Sequence, residues 1–147
     1  MAVNPESAGA HYFLGLASAK LAKVTGPFAG IKNIRRAQRS MERVIEIDPA
    51  FSDAGAYRML GKISLELPGV LGGSKKKARE YLQKAVTLAP ENALNHLYLA
   101  QALKALGDKA GARAEAFRVT VIPLEDGPPS PDGTPQEQAE KLLSTLK

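Results

Sequence analysis

Along the chain the apolar positions recur on a helical period. Ala37, Met41 and Val44 stand at i, i+4 and i+7; Ala78, Leu82 and Ala85 repeat that spacing, and so do Ala112, Ala116 and Val119. Each triplet predicts one apolar stripe on an amphipathic helix. A partner helix is predicted ahead of each stripe, marked by Leu14-Gly15, Leu60-Gly61 and Leu99-Ala100. Pro5, Pro49, Pro90 and Pro123 punctuate these units at intervals of 44, 41 and 33 residues. The pattern predicts an all-α superhelix of three helix pairs, over 8–49, 52–90 and 91–123, in a single domain. Antiparallel helices approach to about 8 Å only where the facing side chains are small. Close packing therefore accounts for Gly15 and Gly61, since Gly inside a helix otherwise costs roughly 1 kcal/mol against Ala.

The units differ in one respect. From the small residue of the first helix to the first Ala of the second there are 12 residues in unit three, 17 in unit two and 22 in unit one. The ten extra residues of unit one, shared between two helices at about 1.5 Å each, lengthen each helix by about 7 Å, with Thr25-Gly26-Pro27 as the turn. Unit two breaks at Pro68-Gly69 and restarts at Ser74, a good N-cap. Both insertions fall at the same end of the superhelix and carry an apolar rim: Val24, Phe28, Ile31, Val70 and Leu71. After Pro123 a Pro/Gly/Asp linker is predicted over 124–133. Thr134-Pro135-Gln136-Glu137 then has the form of a capping box. It opens a terminal helix (134–147) with Ala139, Leu142, Leu143 and Leu146 on one face, expected to cover the last unit.

Charge adds a polarity. The net charge is +5 and is unevenly spread, with +4 over 75–90, +2 over 31–50 and −3 from Pro123 onward. Cysteine is absent, which excludes disulfides, thiolate metal sites and cysteine nucleophiles. No apolar run approaches the ~18 residues of a membrane span, and the first residues have neither the basic start nor the apolar core of a signal peptide. The address stays open between cytoplasm and, if a leader was trimmed, periplasm. The opening segment reads as the end of one unit running into the next, so a parent chain extending upstream is expected. An unpaired first helix would expose Tyr12, Phe13 and Leu16.

Leu-Gly, Ala-x3-bulky, Ala and Pro in register over residues 5–123 give the chain a resemblance to the tetratricopeptide superfamily across about four-fifths of its length. It departs from that pattern at His11, Tyr57 and His96, where Trp is usual, and at Ser18, Ser64 and Leu103, where Tyr is usual. The resemblance implies an inner groove lined by Tyr12, Leu16, Lys20, Arg58, Lys62, Glu66, Leu97, Tyr98, Gln101 and Lys104, with Met59 and Leu94 beside them. The superfamily's carboxylate clamp is missing, because Tyr12, Leu16, Met59, Leu94 and Tyr98 stand where it needs Lys and Asn. A narrower resemblance rests on LPGVLGGSKKKA followed by PENALNHLYLAQAL, which is similar to the T component of tripartite ATP-independent periplasmic transporters. That resemblance implies a periplasmic oligomer handling a small apolar or amphipathic ligand with a substrate-binding partner.

Other signals read as structure. His11 and His96 hold equivalent positions in different units and are expected to pack rather than bind a metal. GGSKKKA lacks phosphate-loop spacing and a preceding strand. IKNIRRAQR has cations without stacking aromatics, which speaks against nucleic acid. No nucleophile–base pair or carboxylate pair is visible. The expectation is a non-enzymatic scaffold, without cofactor or metal, binding a protein or peptide partner through the groove and rim. The alternative is a T-component-like ligand-binding subunit, with a small amphipathic ligand and a homo-oligomeric state.

Overall fold

The computed structural model describes residues 7–127 and 130–147; Pro5, the first of the punctuating prolines, lies outside them. Seven α-helices and no strand occur among the described residues: α1 Ala8–Val24, α2 Pro27–Ile47, α3 Phe51–Glu66, α4 Lys75–Leu88, α5 Ala93–Ala105, α6 Lys109–Val121 and α7 Pro135–Thr145. The most extensive packing is within α1·α2, α3·α4 and α5·α6. Each pair docks on the next through α2·α3 and α4·α5, and α7 closes the stack against α6 and α5. First helices of successive pairs also touch, α1 with α3 and α3 with α5. The result is an α-α solenoid with α1, α3 and α5 along its inner side.

The helix crossings show why glycine is used. A Cβ on Gly15 would stand 2.5 Å from Met41 Cε, and one on Gly61 would stand 2.5 Å from Leu82 Cγ. Met41 and Leu82 are fully buried, so each large residue of the second helix is seated in a gap in the first. Three apolar clusters follow the chain: Met41, Val44 and Leu60; then Leu82, Leu99 and Leu146; then Leu97, Ala100 and Val119. Ala139 of α7 belongs to the third cluster and Leu146, the residue that caps α7, to the second, so the C-terminal segment completes two cores.

The first insertion is helical almost throughout. Thr25 caps α1, Gly26 precedes α2 and Pro27 begins it. The second insertion forms a 3-10 turn at Gly69–Leu71, with Gly72 at φ 95°, and Ser74 Oγ then accepts the Lys77 amide at 3.1 Å to start α4. Arg35 of α2 donates to the Leu71 carbonyl at 3.0 Å, which ties the second insertion to the lengthened first pair. At α7 the capping box is complete. The Glu137 amide donates to Thr134 Oγ1 at 3.1 Å and the Thr134 amide to Glu137 Oε2 at 2.9 Å.

Candidate functional site

The inner side is a polar ladder between α3 and α5. Arg58 donates to Asn95 Oδ1 at 2.8 Å and to the Asp53 carbonyl at 3.1 Å. One turn on, the Lys62 ammonium lies 3.2 Å from Glu66 Oε1, 3.5 Å from Gln101 Oε1 and 4.4 Å from the centre of the Tyr98 ring. Five of the expected groove residues (Arg58, Lys62, Glu66, Tyr98 and Gln101) thus lie along this ladder, with Lys62 engaged by Glu66, Gln101 and the Tyr98 ring and Arg58 by Asn95 and the Asp53 carbonyl.

The other five are distributed differently. Tyr12 packs edge-on against Phe51, 5.5 Å between centres, and covers Gly55, where a Cβ would meet its hydroxyl at 2.6 Å. Leu16 packs into the same cluster. Lys20 is exposed. Lys104 reaches outward to α7 and donates to Thr145 Oγ1 at 2.8 Å. Leu97 is fully buried among Ala116, Val119 and Ala139. It is core and offers no surface to a partner, because α7 and α6 close over the face it shares.

Beside the ladder lies a cavity of about 440 Å³, within the usual range of small-ligand sites. Its helical wall is Lys62 and Glu66 of α3 with Leu94 and Tyr98 of α5. The opposite wall is the segment after α6: Leu124, Glu125, Asp126 and Asp132, followed by Gln136 at the start of α7. Lys23, from the end of α1, also lines it. Two lysines therefore face four carboxylates. Gln136 donates its Nε2 to the Ile122 carbonyl at 3.0 Å, while its Oε1 is buried with no partner among the described residues. That oxygen is enclosed behind the cavity wall, not open to it. The anion-attracting start of α7 is occupied by its own Glu137 through the capping box.

Two buried polar residues hold the wall helices in place. Asn95 is fully buried, and its Nδ2 is shared among the carbonyls of Asp53, Ala85 and Ala89 at 3.1–3.2 Å. Periodicity had no place for it, although an Asn inside the apolar run LNHLYLA signals that something must satisfy it. His96 is also buried; Nδ1 lies 2.6 Å from Glu115 Oε2 and Nε2 lies 2.6 Å from the Pro90 carbonyl. Its pKa is raised, first by the hydrogen bond to Glu115, against the opposing effect of burial, with the Pro90 carbonyl adding to the rise. Among the described residues no group of three or more His, Asp or Glu could hold a metal ion.

One comparison decides the family. The family model described as TRAP transporter T-component matches residues 7–144. The chain belongs to the TRAP transporter T-component family. The match takes in all but the last residue of α7 and both insertions, so the narrower of the two sequence resemblances is the one it supports. No curated protein matches the chain. Membership in the T-component family implies interaction with transporter components, and no helix among the described residues is long and apolar enough to cross a membrane.

Proposed function

We propose that this T-component family member is a non-catalytic, transporter-associated subunit that holds a small amphipathic ligand in the cavity between α3, α5 and the segment that follows α6. The family match over 7–144 carries this reading. The site chemistry supports it. Leu94, Tyr98 and Leu124 offer an apolar lining, and the surplus of carboxylates favours a cationic or hydrogen-donating head group. A scaffold reading, with an extended peptide along the groove, is less well supported. A peptide would have to displace the internal bonds of Arg58 and Lys62.

Native mass spectrometry of the protein as purified tests the proposal. The expected result is a closed oligomer carrying a co-purified small molecule, with the carried fraction reduced in Leu124→Asp, a change at an exposed wall residue. A ligand-free monomer that also takes up no small amphiphile would overturn it.

A further inference from the structure

The two insertions make up a second surface, which adjoins the cavity at Lys23. Both are connections from the first to the second helix of a pair, so both lie at the same end of the solenoid. The bond from Arg35 to the Leu71 carbonyl fixes one against the other. At this end Val24, Phe28 and Val70 are 81%, 92% and 94% exposed. Isolated exposed apolar residues are ordinary, but three almost fully solvated on two turns fixed to one another are not. They rest on nothing. Gly26 and Gly69 have no atom within 4 Å of where a Cβ would stand, so the turn tips project beyond the packed helices.

Cations surround these tips. Lys20 and Lys32 sit one helical turn in from Val24 and Phe28, Lys23 is beside Val24, and Lys75, Lys76 and Lys77 open α4 directly after the second insertion. All six are exposed, and none makes an ion pair among the described residues. Three of them stand at a helix start, where the macrodipole disfavours positive charge. Neither stability nor core packing explains that placement. The opposite polarity is found in the segment from 123 onward, which is acidic.

We propose that the insertion end docks on an anionic bilayer surface, with Phe28, Val24 and Val70 entering the interface and Lys20, Lys32, Lys75, Lys76 and Lys77 meeting lipid phosphates. Separate projecting apolar side chains with exposed lysines close to them in sequence fit a fluid interface, in which each side chain finds its own depth. A protein partner would instead call for a continuous, complementary patch with a packed centre. No spanning helix is required.

The test is co-sedimentation of the full chain with vesicles of equal parts phosphatidylglycerol and phosphatidylcholine, beside vesicles of phosphatidylcholine alone. The proposal expects binding to the mixed vesicles at about 0.1 M salt, where the screening length is about 10 Å, and release toward 1 M, where it is about 3 Å. Phe28→Asp with Val70→Asp should lower the bound fraction at least tenfold while leaving helical circular dichroism and melting unchanged. Changing Lys75, Lys76 and Lys77 to Gln should lower binding without altering any apolar group. Failure to bind the mixed vesicles, equal binding to neutral ones, or indifference to the Phe28/Val70 change overturns the proposal. Indifference to vesicles together with capture by an acidic protein would assign the tip to a protein partner instead. Occupancy of the cavity is not involved in any arm, so the outcome is independent of the proposed ligand site.

Discussion

At the scale of single residues, His96 is the most informative side chain. Both of its ring nitrogens face oxygen acceptors, a carboxylate and a carbonyl, so both are satisfied only when each carries a proton. The imidazolium then clasps the loop before α5 to α6. Because the folded pKa is raised, its contribution to stability is complete below the ordinary histidine value of about 6.5. It is lost as pH rises through the folded value. Melting of the wild type and His96→Gln should therefore differ most near pH 6, and the gap should narrow toward pH 9. A gap that stays constant with pH would show that His96 contributes by packing alone. The sequence places this histidine correctly as an interior residue, at the position matching His11. Its charge was not legible, because Glu115 lies 19 residues further on and only the α5·α6 packing brings the two together.

At the scale of elements, what could be read in advance is what is locally encoded. Turn chemistry at Thr25-Gly26-Pro27, the restart at Ser74 and the Thr134–Glu137 box depend on neighbours within four residues, and each forms where the sequence places it. Thr134→Ala should cost about 1 kcal/mol, measured by chemical denaturation. A loss well under half of that would mean the start of α7 is held by Gln136 and Ile122 rather than by the cap. Leu97 shows the opposite case. A groove position by register, it is core in fact, since whether a helix face stays open depends on what returns to cover it. Lys104 turns to Thr145 for the same reason. The wall of the cavity was equally hidden: 124–133 reads as a linker by composition, and nothing in its residues says which face it will border.

For the whole molecule, α7 has two separable effects. With its C-cap Leu146 it supplies Leu146 and Ala139 to two clusters, and the segment leading to it supplies one side of the cavity. Removing residues 124–147 should therefore lower the melting temperature and also abolish retention of any ligand. Retention by the shortened chain would place the ligand elsewhere. Restoring α7 on an unrelated linker of the same length should recover the melting temperature without recovering retention. The polar ladder of Arg58, Lys62 and Gln101 also makes the inner side stiff where neighbouring pairs meet, because each rung joins α3 to α5 or to its own helix.

The division of the cavity into a helical wall and a linker wall has an evolutionary side. Changes on α3 or α5 disturb the stacking of successive pairs, so that wall is costly to vary. Leu124, Glu125, Asp126 and Asp132 belong to no helix and are exposed away from the core, so substitutions or length changes there leave the solenoid intact. Under the proposed function, chemical preference would rest on a stretch of chain that carries no helix packing. Exchanging residues 124–133 should then change which ligand the cavity retains while leaving the melting of the helical framework unaltered.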